Sequence, residues 1–308
     1  MTATRHVVLG GNGVIGRETL RALRERGLDP VSVGRRPAVG RGGASVTADL
    51  LDADAVARTL DGADVAYFVV GLPYSAPVWA EQWPVLVRNT IAAARRSGTH
   101  LVYLDNVYAY GRVTGPMTEE TPVRPVSRKG RVRAEALDLL ASAADEGLTV
   151  TVGRSADFFG PGATTSVVNG FVLDRIAAGK RPTWLLDADL PHSLTSTTDV
   201  GDALAVLGTD DRARGRIWHL PTAPARTGRE VVELAGVPAA QTAVMRSATL
   251  RIGALFTAAA RETLEMRYQW AEPSVLDSSA FERTFGTAPT PLEVSIPAAL
   301  AQTRPVSR

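Results

Sequence analysis

The chain has 308 residues, 45% of them hydrophobic, with a formal net charge of +2 and no cysteine. That is ample for a sizeable core, in one large or two smaller domains, and it excludes disulfides, thiol catalysis and cysteine-based metal sites. The near balance of charge gives no sign of a nucleic-acid partner, and the four scattered histidines (His6, His100, His192, His219) lack metal-ligand spacing, so no metal is expected.

The first element is a short apolar run, Val7, Val8 and Leu9, that meets Gly10, Gly11, Gly13 and Gly16. An amphipathic stretch over 14–26 follows, with Val14, Ile15, Leu20 and Leu23 on one face and Gly27 as its stop. Strand, glycine turn and helix in this order form the unit that binds a dinucleotide pyrophosphate. Gly10 and Gly13 let the backbone turn and approach phosphate oxygens, Gly16 lets the helix pack on the strand, and the helix N-terminus offers N–H groups to the anion. The expected cofactor contacts are Gly10, Gly11, Asn12, Gly13, Val14, Ile15 and Gly16.

The second strand, 31–34, ends in PVSVGRRP. NAD-selective folds carry an acidic residue there to hold the ribose 2′-hydroxyl. Here Gly34 stands near that position and Arg35 and Arg36 follow, which suits a 2′-phosphate, so NADP(H) is expected over NAD(H). The other reading of the two arginines is a solvated loop. A third strand at 44–47 leads to Asp49 and Leu50, which are expected near the adenine. Helical patterns at 53–60, 84–96 and 130–145 alternate with strands at 65–70, 100–104 and 148–152. Such alternation predicts an α/β fold, a doubly wound parallel sheet of the Rossmann type with its ligand crevice at the carboxyl ends of the strands.

After residue 155 the rhythm changes. A helical stretch spans 167–178, Asp199 is expected to cap a helix running to Leu207, a strand lies at 216–220, and helices are expected at 248–267 and 291–302. The expected organisation is a cofactor-binding core over 1–155 and, over 156–308, the remaining sheet elements with a small substrate-binding lobe, the two forming one structural unit. The longest apolar run, near Val65 to Val70, is too short to cross a bilayer, and the first strand starts almost at Met1 without a leader pattern, so a cytoplasmic protein with no membrane partner is expected.

The ordered motifs resemble an extended short-chain dehydrogenase/reductase, the group that includes sugar-nucleotide epimerases and dehydratases. The residues that carry the resemblance are Gly10, Gly13 and Gly16, Asp49-Leu50, Gly71, Asn89, LVYLDNVYAYG, TEETPVRP, GRSADFFGPG and the helix start DVGDAL. It implies a homodimer through helices equivalent to 84–96 and 130–145, although the apolar residues there equally serve packing on the sheet. It also implies a Ser or Thr on the fifth strand and a Tyr-x-x-x-Lys pair on the next helix. In their places stand Asn106, Lys129 and Arg133, so the chain resembles the atypical members.

Lys129 and Arg133 are four residues apart and share a helix face. A lysine pressed by a neighbouring guanidinium and an oxidised nicotinamide moves toward neutral pH and serves as acid or base, Arg133 holds ribose hydroxyls, and Asn106 donates to a substrate carbonyl. The alternative is a solvated face with Lys129 as a surface charge. Tyr108, two residues after Asn106, shares its strand face and is a second source of hydroxyl chemistry or else a packing aromatic, while Tyr110 points away. Tyr74, Trp79, Asp157 and His192 are candidate substrate contacts, and Asp157 stands where relatives have asparagine. The dense charge and aromatics of Arg261, Glu262, Glu265, Arg267, Tyr268 and Trp270 on one helix fit a substrate lid or a surface ion-pair face equally.

The reading that follows is an NADP-dependent oxidoreductase acting on a small carbonyl or alcohol. Two alternatives stand beside it. One is an epimerase or dehydratase that retains its cofactor, and the other is a redox-silent NADP-binding regulator.

Overall fold

A computed structural model describes residues 4–37 and 43–303 of the chain. Strand β1 (His6–Leu9) is buried along its whole length. It pairs in parallel with β2 (Val31–Gly34) on one side and with β4 (Val65–Phe68) on the other. β3 (Ser45–Thr47) extends the sheet beyond β2, and β5 (His100–Asn106) and β6 (Val150–Ser155) extend it beyond β4. The strand Ile217–His219 closes the far edge beside β6. Among the described residues this gives a seven-stranded sheet in which every pairing is parallel, as the βα alternation predicts. The strand order reverses between β1 and β4, which opens a crevice at their carboxyl ends.

Both faces are covered because strand side chains alternate. Val7 and Leu9 face α2 (Ala53–Leu60), α3 (Ala76–Ser97) and α4 (Arg128–Asp145). Val8 faces α1 (Val14–Glu25) and the helix Thr197–Thr209. These last two helices touch closely: a Cβ on Gly201 would stand 2.5 Å from the Glu18 backbone. A third apolar cluster, around Trp184, Trp270 and Ile296, belongs to the second half of the chain.

Several expected boundaries shift for local reasons. α3 begins at Ala76, eight residues before the apolar periodicity announces it, because Pro77 suits a first helical turn. β5 continues through Asn106 and β6 through Ser155, while β4 stops at Phe68. Ser196, not Asp199, caps the helix Thr197–Thr209 by accepting from the Thr198 N–H. The Asp199 carboxylate instead accepts from the Thr290 N–H and hydroxyl at 3.0 and 2.7 Å. The stretch expected over 167–178 contains a wide π turn at Asn169–Leu173 before a single α turn, Asp174–Ala177. The helix expected over 248–267 breaks at Thr257, whose extended backbone and hydroxyl cap start a second helix.

Candidate active site

The glycine turn is built as a close approach of backbones. Gly10 has φ +93° and its N–H donates to Val33 O at 2.9 Å, tying the turn to β2. A Cβ on Gly16 would lie 2.2 Å from Gly10 O, and one on Gly11 would lie 2.3 Å from Ser32 Oγ. Neither position holds a larger side chain without moving its neighbours. Gly13 is the N-cap of α1, and among the described residues no side chain caps that helix and no acidic residue stands in its first turn. Its leading N–H groups therefore remain for an anion.

Beside this turn lies a cleft of about 200 Å³ that brings together Gly10, Asn12, Gly13, Arg35, Asp49, Leu50 and Gly71. Gly34 lines it too, and a Cβ there would meet Asn12 Nδ2 at 2.7 Å. Asn12 needs that space because its Nδ2 donates to Arg36 O at 2.6 Å. Arg36 lines the adjoining cleft along the outer side of α1, with Gly11, Arg17, Arg24 and Arg35. Among the described residues neither Arg35 nor Arg36 has an acidic partner. Ile15 packs in the core, so only its backbone faces the turn, and Val14 is half-buried. Asn89 Nδ2 donates to Leu50 O and Leu51 O at 3.0 and 3.1 Å and so fixes the loop after β3. Asp49 accepts from the Leu51 N–H at 3.0 Å, which turns the chain into α2. The donor set and the close backbone contacts fit the diphosphate and adenosine portions of a dinucleotide.

The aromatic side of the crevice differs from its sequence expectation in one respect. β5 ends at Asn106, and Val107–Tyr110 form a 3₁₀ turn whose Tyr108 N–H donates to Asn106 Oδ1 at 3.0 Å. Strand alternation therefore does not apply at Tyr108. The turn instead carries its hydroxyl to 3.3 Å from that of Tyr74, with its ring stacked on Trp79 at 6.3 Å between centroids. Trp79 is itself fixed by donating from Nε1 to Pro73 O at 2.9 Å. Burial pushes both phenols above their ordinary range, and the charge of Asp157 adds to the effect on each. Both hydroxyls thus keep their protons at neutral pH. Tyr110 lies away from the crevice, buried against His219, whose Nε2 is 2.6 Å from its hydroxyl.

Lys129 and Arg133 are buried on one face of α4, but neither is the other's principal electrostatic neighbour. The Lys129 ammonium is fully enclosed, paired with Glu262 and 3.6 Å from Glu265. The expected activation by Arg133 is therefore corrected: two carboxylates surround the ammonium, and no part of it is open to the crevice. Arg133 places its guanidinium 3.9 Å over the Trp83 ring, 3.1 Å from the Tyr103 hydroxyl and 3.7 Å from Asp105. Nη1 makes these polar contacts, while among the described residues Nε has no hydrogen-bond partner. Asp105 also accepts from Arg154 Nε at 2.8 Å. Glu262, Glu265, Asp105 and Arg154 were not among the expected site residues. The dense charge of the tail was a signal for the first two.

Asp157 and His192 share a hydrogen bond of 2.9 Å, and His192 stacks on Trp270 at 4.1 Å. Phe159 is a core residue, whereas Asp157 keeps 21% of its side chain exposed. Tyr268 completes this side, its hydroxyl 3.4 Å from Tyr108 O and its phenol pushed up to about 12 by burial. Among the described residues no group of three or more His, Cys, Asp or Glu side chains is placed to hold a metal ion. None of their helices is long and apolar enough to cross a membrane.

Comparison with known proteins points the same way as the geometry. The model of the NAD dependent epimerase/dehydratase family matches residues 6–218. Solved structures similar over their whole length include UDP-N-acetylglucosamine 4-epimerase from Bacillus cereus, at 15% identity and a TM-score of 0.77, covering 98% of this chain and 100% of that one. The UDP-glucose 4-epimerase of Thermus thermophilus, solved in complex with NAD, is 21% identical with a TM-score of 0.77 over 99% and 100% of the two chains. The dTDP-glucose 4,6-dehydratase of Bacillus anthracis, also in complex with NAD, is 16% identical with a TM-score of 0.77 over 97% and 96%. At these identities the likeness is one of fold. No curated protein matches the sequence.

Proposed function

The chain belongs to the NAD dependent epimerase/dehydratase family, and from that premise we propose that it is an NADP(H)-dependent reductase of a small carbonyl compound. The observation that carries the reading is the Tyr74–Tyr108 hydroxyl pair, 3.3 Å apart at the carboxyl end of the sheet and held in its protonated form. When bound, the cofactor supplies a hydride to the carbonyl carbon. Tyr108 gives its phenolic proton to the oxygen, Tyr74 holds that phenol by a hydrogen bond, and an alcohol results. Asn106, whose Oδ1 is engaged by the Tyr108 N–H, keeps its amide NH₂ to donate to the same oxygen. Arg35 and Arg36, without an acidic partner among the described residues, supply beside the cleft the charge that a 2′-phosphate requires.

Phenols that hold their protons favour reduction over any cycle that begins by removing a proton from substrate. An epimerase or dehydratase that retains its cofactor is the second reading, and the family match favours it. The enclosure of both Lys129 and Arg133 favours a third, an NADP-binding regulator without turnover. Fluorescence titration of cofactor-stripped protein with NADPH and NADH, followed by a carbonyl panel, separates the three. The reductase reading expects tight NADPH binding, weak NADH binding and turnover of externally added NADPH. Cofactor that stays bound through purification and is not consumed points to the epimerase, and binding without turnover points to the regulator. Equal affinity for the two nucleotides would overturn the role given to Arg35 and Arg36.

A further inference from the structure

The segment that carries Glu262 is attached to the molecule in an unusual way. It consists of the helices Ser247–Phe256 and Ala258–Glu265. Within these two described helices only Leu250 and Glu262 are buried. Ile252, Leu255 and Phe256 are exposed, the last two by 76% and 79%. Apolar burial therefore does little to hold the segment down.

Its polar attachments converge on two helix N-termini. Both Glu262 carboxylate oxygens accept from the Ala76 N–H at 3.1 Å, at the start of α3, where the N-cap Ser75 makes no side-chain capping bond. Glu265 accepts from the Lys129 N–H at 3.1 Å, in the first turn of α4. The enclosed Lys129 ammonium ties the arrangement together through its bonds to the Glu262 carboxylate and, at 3.4 Å, to the Glu262 carbonyl. That ammonium also lies 4.3 Å from the centroid of the Tyr74 ring, on its face. A charge pair on the segment is thus joined, through one lysine, to the tyrosine that holds Tyr108.

We infer that Glu262 and Glu265 form a latch that holds residues 247–265 across the crevice, and that Lys129 is a positioning residue that couples this latch to Tyr74. The inference rests on the reading of Tyr74 and Tyr108 as the proton source. In this arrangement Lys129 moves no proton. It fixes the Tyr74 ring from one side while Trp79 fixes it from another, edge-on at 5.9 Å. Release of the carboxylates frees the segment and the ring together.

The test uses the full-length protein and four variants: Glu262→Gln, Glu265→Ala, Lys129→Met and the double variant Lys129→Met/Glu262→Gln. Amide hydrogen exchange reads the segment, and ¹⁹F NMR of 3-fluorotyrosine-labelled protein reads Tyr74, whose resonance is assigned with Tyr74→Phe. Glu262→Gln is expected to speed exchange over 247–265 by at least about tenfold while β1 and α1 exchange as before. The Tyr74 resonance moves in both Glu262→Gln and Lys129→Met. The double variant exchanges more slowly than either single one, because neither lone charge is left buried. Should Lys129→Met fail to fold, Glu265→Ala decides, since it removes an acceptor at the segment's edge and leaves the Lys129–Glu262 pair in place. Unchanged exchange over 247–265 in both Glu262→Gln and Glu265→Ala overturns the latch. A loosened segment with an unmoved Tyr74 resonance overturns the coupling. NADPH titration of the same proteins keeps the cofactor reading separate: absence of binding by the wild type removes that reading and leaves the exchange result intact.

Discussion

Substitution of Gly13 and Gly16 by alanine separates a cofactor contact from a packing contact within one turn. At Gly16 the new methyl would stand 2.2 Å from Gly10 O and 2.6 Å from Gly11 Cα, both backbone atoms. Carbon contacts settle near roughly 3.5 Å, so the start of α1 has to retreat by about 1 Å. Overpacking of that kind destabilises by about 1–3 kcal/mol, and the better helix propensity of alanine offsets up to about 1 kcal/mol of it. A net loss of about 1–2 kcal/mol lowers the melting temperature of a chain of 308 residues by roughly 2–3 °C.

Gly13 is different. Its φ of −71° and ψ of 172° suit alanine, and the methyl would meet only Gly10 O, at 3.2 Å. The expected loss of stability is under about 1 kcal/mol. The methyl nevertheless projects where an anion approaches the N–H groups of α1. Loss of one charge-assisted hydrogen bond costs about 1.5–3 kcal/mol, or roughly 10–100-fold in NADPH affinity. Thermal unfolding without cofactor and NADPH fluorescence titration read the two effects. Gly13→Ala protein that binds NADPH as tightly as the wild type refutes the α1 N-terminus as the phosphate site. Gly16→Ala protein that melts with the wild type refutes the packing argument.

Tyr108→Phe is expected to lower the rate of NADPH-dependent carbonyl reduction by about 10²–10⁴-fold with nucleotide affinity unchanged, and full activity removes Tyr108 as the proton donor. Asp105→Asn leaves Arg154 and the nearby Arg133 without their carboxylate in a buried site, so urea unfolding should show a loss of about 3–5 kcal/mol; a loss below about 1 kcal/mol would mean that the two arginines are satisfied by their other contacts. Burial lowers His100 from 6.5 to about 4, and burial likewise lowers His6 and His219. The folded state then binds fewer protons than the unfolded one, so stability from His100 is complete above pH 6.5 and declines as pH falls toward 4, by up to about 3 kcal/mol. His100→Gln should flatten the unfolding free energy across that window, and an unaltered slope assigns the acid limb to other groups.

The sheet was legible because buried parallel strands appear as short apolar runs between turn residues. Val7 to Leu9 and Val65 to Phe68 are such runs, and Asp52 marks the start of α2 by capping the Asp54 and Ala55 N–H groups. The start of α3 was legible only in part, through Pro77 in its first turn. Its first N–H is satisfied by Glu262, 186 residues away, and no local window contains that acceptor. Tyr108 was misplaced by a single assumption, that β5 ran on past Asn106, when the Asn106 side chain itself ends the strand by capping the turn. The Asp105–Arg154 pair was not legible either. The two residues stand directly opposite in the parallel register of β5 and β6, but the strands expected at 100–104 and 148–152 stop short of both, so only the observed register shows the contact.

The departure from the Tyr-x-x-x-Lys pattern and the new contacts of the C-terminal segment are two sides of one electrostatic requirement. A tyrosine at position 129 needs no counter-charge when enclosed, whereas a lysine there costs several kcal/mol of desolvation unless carboxylates accompany it. Glu262 and Glu265 meet that need, and they reach it only if the helix Ala258–Glu265 lies across the N-termini of α3 and α4. Arg133 imposes the same condition on β5, where Asp105 stands beside both it and Arg154. Lys129 is thus held by two carboxylates, while Arg133 shares Asp105 with Arg154. The proposed reductase reading therefore gives the proton to a phenol, and the 3₁₀ turn after β5 places the Tyr108 hydroxyl within hydrogen-bond distance of that of Tyr74.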